Sequence, residues 1–187
     1  FAGTQMEIYD SLFDVGAAES AVTANAGAVD GSFLVHGATV VGNAPNQVAV
    51  RLIGSTHQMS GDIRDSLFDL NGAGSTEMSC GIPGGGAPSQ IYVFNSMYAT
   101  KAGCVMDPID SLIRSGSLQP AYVNAGAGDY RPAAGSPVVD AGSATAFRPF
   151  EPKLDLASMQ RFVDGNGDGS ARIDIGAYEF QPGASTG

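Results

Sequence analysis

The stretch Ile8-Tyr9-Asp10-Ser11-Leu12-Phe13-Asp14 returns later in the chain as Ile63-Arg64-Asp65-Ser66-Leu67-Phe68-Asp69. Two looser copies follow the same template, Val35-His36-Gly37-Ala38-Thr39-Val40 and Val93-Phe94-Asn95-Ser96-Met97-Tyr98. Counted from the first apolar residue of each, the copies are 27, 28 and 30 residues apart. Self-similarity at a period of roughly 20 to 50 residues marks an array whose units bury their apolar faces only by stacking. The first template position is Ile or Val each time, suited to an inward column of strands. The third reads Asp10, Gly37, Asp65 and Asn95, residue types that tolerate the left-handed backbone a sharp bend demands. Positions five and six carry Leu12/Phe13, Thr39/Val40, Leu67/Phe68 and Met97/Tyr98. Further short apolar runs, such as Val48-Ala49-Val50-Arg51-Leu52-Ile53, lie between clusters of Gly, Asn, Pro and Ser. Strand, bend, strand, loop, strand is the plan of an all-β parallel β-helix. An all-β sandwich of short strands is the alternative, but it gives no reason for one heptamer to recur near 28 residues.

Composition agrees. Charged residues are 15% of the 187, against roughly 25% in an average domain. Gly is abundant at 26, Trp is absent, and Lys occurs only at 101 and 153, which suits close-stacked strands and disfavours helices. Nine basic against 19 acidic side chains give a net charge of −10, a field that repels phosphate backbones, so nucleic acid is not an expected partner. Fourteen of the acids are Asp and five Glu, which places the charge on turns and caps, as a solvated surface or as divalent-cation sites. No run of about 20 apolar residues forms a transmembrane segment. The chain starts at Phe1 inside a repeat, so residues 1–118 are expected to be coils of an N-terminally truncated β-helix without a signal peptide. Cys80 and Cys104 are an even pair, either a disulfide made in an oxidising compartment or two buried thiols.

From Gln119 the character changes. Asp129-Tyr130-Arg131-Pro132 and Gly135-Ser136-Pro137-Val138-Val139-Asp140-Ala141-Gly142 are followed, after an individual loop, by Asp164-Gly165-Asn166-Gly167-Asp168-Gly169 and Arg172-Ile173-Asp174-Ile175-Gly176-Ala177-Tyr178-Glu179-Phe180. Over residues 119 to 181 this resembles the closing region of bacterial surface proteins of the pectate-lyase-like β-helix superfamily, in particular those with a "choice-of-anchor Q" ending. Pro132 departs from that pattern, where the family usually has Leu. The resemblance implies a right-handed parallel β-helix with a C-terminal capping region, 119–181 being its last coil and cap. It also implies an extracellular or cell-surface location, and a tail, 182–187, leading toward an anchor. Ile173, Ile175, Tyr178 and Phe180 would cover the last coil, and Asp140 and Asp174 would satisfy turn N–H groups.

Asp164-x-Asn166-x-Asp168-Gly169 has the alternating oxygens of the first half of a calcium loop. The twelfth position is Ile175, with Asp174 one residue early, so Asp164, Asn166, Asp168 and Asp174 are the candidate calcium ligands. The competing reading is a Gly-rich turn whose side chains bond their own backbone. Lys101, Arg51, Arg64 and His57 are candidate bases for a polysaccharide lyase, but they form no signature. The N-T-D, G-H-G and R-I-K motifs of fold-related galacturonan hydrolases are absent. His36 and His57 read as ordinary surface histidines. The expected function is therefore a non-catalytic secreted or cell-surface module, a stalk, adhesin or glycan-contacting surface with a polysaccharide partner. A polysaccharide lyase or glycoside hydrolase, and a self-assembling structural subunit, are the alternatives.

Overall fold

The computed structural model describes residues 4–26, 30–54, 57, 59–81, 90–145 and 151–183. The chain makes successive rounds of strands. The first round is β1 (Thr4–Tyr9), β2 (Leu12–Asp14) and β3 (Ser20–Ala26), and the second β4 (Gly31–His36), β5 (Thr39–Gly42) and β6 (Val48–Gly54). The third is β7 (Met59–Arg64), β8 (Leu67–Leu70) and β9 (Thr76–Gly81), and the fourth β10 (Gln90–Phe94), β11 (Met97–Tyr98) and β12 (Lys101–Ala102). A fifth round contains β13 (Val105–Ile109) and β14 (Leu112–Ile113). Each strand stacks on its counterpart one round away, giving three sheets ordered β1-β4-β7-β10-β13, β2-β5-β8-β11-β14 and β3-β6-β9-β12. All pairings in them are parallel. The protein is thus all-β with stacked parallel sheets, an arrangement compatible with a parallel β-helix. No helix of the described residues is long and apolar enough to cross a membrane.

The matching heptamers lie one above another. Ile8, Val35, Ile63 and Val93 are in register through the first sheet. The bend residues Asp10, Gly37, Asp65 and Asn95 have φ of 37°, 63°, 46° and 45°, as their residue types require. Asp110, with φ 50°, is a fifth bend that the period hides, because its round follows the fourth after only 15 residues. The next position explains the recurrent serine. Ser66, Ser96 and Ser111 each donate their hydroxyl to the carbonyl two residues back. The same oxygens accept the N–H of Ala38, Ser66 and Ser96 from the preceding round, at 3.2, 3.1 and 3.2 Å. One hydroxyl thereby satisfies a main-chain group from each of two rounds at the point where the sheets part.

Alternation sorts the first sheet into an inward and an outward face. Phe33, Val35, Ile63, Ile91 and Val93 are buried in the core with Val50, Leu52, Phe68 and Met78 from the other sheets. Gly61 is required by its neighbour, since a Cβ there would stand 2.1 Å from the Phe33 ring. The second sheet behaves differently, because β5 and β8 are buried at every position. Their outer face is covered by the C-terminal part of the chain. Val138 and Ile175 pack on Leu67 and Met97, with Leu112 alongside. Gly176 donates its N–H to Asp65 O and Ala177 to Thr39 Oγ1.

The described part of residues 119–181, which the resemblance implies to be a last coil and cap, lies as a flank along the second sheet. Their described sheet is a hairpin, β15 (Tyr122–Asn124) and β16 (Asp129–Pro132), joined by the 3-10 turn Ala125–Ala127 and paired antiparallel. The flank wraps the second sheet because positions Leu67, Met97 and Leu112 form an apolar outward column that must leave water. The end of the stack stays open among the described residues, with Val105, Ile109 and Ile113 exposed by 49%, 41% and 47%. Ile109 O accepts the N–H of Asn95, just past β10, so its neighbour Pro108 faces the open side, where it has no N–H to offer. Proline at such an edge resists further strand addition.

Cys80 of β9 and Cys104, just before β13, form a disulfide, which ties the third round to the fourth where β12 is only two residues long. The bond closes a loop of 24 residues, so replacing both cysteines by serine is expected to cost about 3 kcal/mol in urea unfolding.

Candidate functional site

The outward face of the first sheet carries three columns set by the register. Gln5, Ser32, Ser60 and Gln90 form the first, and Glu7, Leu34, Asp62 and Tyr92 the second. Tyr9, His36, Arg64 and Phe94 form the third, next to the bend. Between the columns and the flank lies an open cleft of about 330 Å³, lined by Tyr9, Asp62, Arg64, Tyr92 and, from the flank, Glu151. Its side chains are held in place. Arg64 donates to Asp62 Oδ2 at 2.7 Å and lies 3.9 Å over the Phe94 ring, a cation–π contact. Gln5 donates to Glu7 at 2.7 Å, and the rings of Tyr9 and His36 are 6.0 Å apart.

His36 is not a surface histidine. Only 2% of it is exposed, and Nε2 lies 3.0 Å from Asp65 Oδ2 and 3.9 Å from Glu151. The other Asp65 oxygen accepts the N–H of Ser143 at 2.6 Å. Asp65 therefore joins a bend of the sheet, a buried imidazole and the flank, and the pair is a structural clasp beside the cleft. His57, by contrast, has a side chain 37% exposed, 3.5 Å from Asp30. Neither burial nor this pairing is visible in the local text Val35-His36-Gly37, because Asp65 is 29 residues away.

The two C-terminal motif blocks come together. Asp174 Oδ1 accepts from Asp140 N–H at 2.7 Å and Oδ2 from Phe180 N–H at 2.6 Å, while Asp140 Oδ2 accepts from Asn166 N–H at 2.6 Å. Arg172 donates to Gly142 O. Asp140 and Asp174 thus do bind orphan N–H groups, inside the flank. Arg161, fully buried, fastens this unit to the stack by donating to Asp10 at 2.6 Å and to the carbonyls of Asp174 and Gly176. Nothing in Gln160-Arg161-Phe162 announces this role, since Asp10 is 151 residues away.

Of the expected calcium ligands, Asp164, Asn166 and Asp168 share one loop and Asp174 lies apart. Asp164 accepts the N–H groups of Gly167, Asp168 and Gly169, Asn166 that of Asp168, and Asp168 that of Ser170. Asp174 belongs instead to the buried flank network. The loop is built as a self-bonded Gly-rich turn. No group of three His, Cys, Asp or Glu side chains among the described residues is placed to hold a metal ion. The candidate bases stay dispersed as well. Arg51 pairs with Glu19 on the third sheet, and Lys101 is exposed at its edge.

Burial raises several carboxyls where the flank meets the stack. It lifts Asp10 to about 6 despite Arg161 beside it, Asp174 to about 7, and Glu179, aided by the neighbouring Asp174, to about 9. The groups around them are Asp140, Asp155, Glu151, His36 and Arg161. Each raised group holds its proton more tightly folded than unfolded. Its contribution is complete below about pH 4 and is lost as pH rises through 6, 7 and 9 in turn. Urea midpoints should therefore fall between pH 5 and 9, and the fall should shrink in Glu179→Gln. Asp65→Ala strands Ser143 N–H and the buried His36, so it is expected to lower unfolding free energy by about 3 kcal/mol, with Asp65→Asn milder because Asn tolerates the positive φ.

No family model, no curated protein and no solved structure matches the chain.

Proposed function

We propose that this chain is part of a right-handed parallel β-helix of the pectate-lyase-like kind, with a choice-of-anchor-Q-like C-terminal region. We place it in an extracellular or cell-surface protein, where the outward face of its first sheet makes non-catalytic contact with a glycan. The observation that carries this reading is the cleft of about 330 Å³, in which Tyr9 and Tyr92 stand among Gln5, Ser60, Asp62 and Arg64 on rigid strands. Aromatic bodies beside hydroxyl, amide and charged hydrogen-bonding groups match a sugar ring, which is apolar on its C–H face and polar at its edge. Fixed strands lower the entropy lost on binding. The Cys80–Cys104 disulfide supports an oxidising compartment.

Binding without turnover is favoured over lyase or hydrolase chemistry by the state of the basic groups. His36 is sealed under the flank, and Arg64 is already engaged with Asp62 and Phe94, so neither is free to take a proton from a bound sugar. Head-to-tail self-assembly is disfavoured by Pro108 at the open edge. The test is an array of neutral and acidic glycans probed with the whole chain. Retention of a defined set is expected, weakened about tenfold or more by Tyr92→Ala or Arg64→Ala. Release of unsaturated oligosaccharides from alginate, pectin or a glycosaminoglycan would replace this reading with a lyase. Retention that is indifferent to both substitutions would move the contact off this face.

A further inference from the structure

A second concavity, of about 210 Å³, lies away from the first-sheet cleft. One wall is the ends of β5 and β8 with the residues that follow them, chiefly Asn43, Asp69 and Asn71. The other is the hairpin, through Tyr122, Gly126 and Tyr130. Both walls are fixed before any ligand arrives. Tyr122 donates its hydroxyl to Asp69 Oδ2 at 2.8 Å, and Tyr130 meets it edge-on, ring centroids 5.4 Å apart at 90°. The hairpin tip is pinned by Asn124, whose Oδ1 accepts the N–H of Ala127, and by the left-handed Gly128.

The charge at the base is only partly offset, because the buried Arg114 is shared by Asp69 and Glu77. Arg114, 7% exposed, lies 3.0 Å from Asp69 Oδ1 and donates to Asn71 Oδ1 at 2.9 Å. Asn71 in turn donates to Asp69 Oδ1 at 2.9 Å. Both Asp69 oxygens are already engaged, Oδ1 by Arg114 and Asn71 and Oδ2 by Tyr122, while the excess carboxylate at the base and the chain's net charge of −10 disfavour an anion. What remains is an aromatic wall, an exposed amide at Asn43 and the main chain of a Gly-rich tip, in a space below the size of drug-like sites. We propose that this concavity holds a single neutral hexopyranose residue, its C–H face against Tyr130 and its hydroxyls toward Asn43, Asn71 and the main chain at Ala125–Gly126. It shares a ligand class with the first-sheet surface but no residues. A chain with both sites would hold a glycan at two points, and avidity would then exceed either site alone.

The test is titration of the isotope-labelled whole chain, followed by amide NMR, with D-glucose, D-galactose, D-mannose and N-acetyl-D-glucosamine in turn, and D-galacturonate as the charged counterpart. At least one neutral sugar should give saturable millimolar shifts at Asn43, Asn71, Gly126 and Tyr130, about tenfold weaker with galacturonate. Tyr130→Ala should reduce that affinity about tenfold or more. Asn43→Ala, on an exposed loop that leaves the Tyr122 packing intact, should reduce it as well. Tyr92→Ala should leave it unchanged. Shifts confined to the first-sheet face would overturn this proposal while sparing the earlier reading. Shifts at the hairpin with none at Tyr92 or Arg64 would do the reverse. Absence of saturable shifts at the hairpin with all four neutral sugars, or affinity untouched by Tyr130→Ala and Asn43→Ala, would sink it.

Discussion

Five times the backbone turns from the first sheet into the second at a residue with positive φ, and each turn must repeat in register with the next. Asp, Asn and Gly supply the conformation, and the serine after the bend supplies the hydrogen bonds that lock one turn to another. If either failed, the columns on both faces would lose alignment, because a strand shifted by one residue inverts its faces. The second-round copy is the informative exception. Gly37 and Ala38 replace the Asp and Ser, and the space a Cβ would need at Gly37 is occupied by Asp10 Oδ1 at 2.4 Å and Arg161 Nη1 at 3.0 Å. The repeat is relaxed where the flank docks.

Docking of that flank is the second organising feature. An apolar column on the outer face of the second sheet attracts Val138 and Ile175, but apolar contact alone would not orient an irregular segment. Orientation comes from buried polar groups: Arg161 with Asp10, Asp174 with Asp140 and Phe180, and Asp65 with His36 and Ser143. Networks of this kind add specificity at an energetic cost. The cost is visible in Asp10 Oδ2, His36 Nδ1, Asp140 Oδ1 and Glu179 Oε1, which are buried without a hydrogen-bond partner among the described residues.

Both concavities follow from this construction. The first exists because the flank rises beside the outward columns of the first sheet and contributes Glu151. The second exists because the hairpin stands against the ends of β5 and β8, held there by the hydroxyl of Tyr122. In each, side chains from separate rounds are brought together by stacking, so residues about 30 positions apart become neighbours.

The stacked rounds, their bends and the inward columns could be read from residues 8–14 and their copies alone, because β-branched positions and left-handed bends are local properties that repeat. The fifth round escaped, although Asp110-Ser111-Leu112 is in plain view, because the fourth round's third strand, β12, is only two residues long and shortens the spacing. Cys80 and Cys104 were legible as a pair, and Asp140 and Asp174 as acceptors for turn N–H groups, since both roles belong to short-range chemistry. That the described part of the C-terminal third lies along the second sheet, and that His36, Arg114 and Arg161 are buried hubs, was decided by tertiary structure. Those contacts join residues 29 to 151 positions apart. A charged side chain reveals whether it is solvated or buried only when the partner that neutralises it is in place.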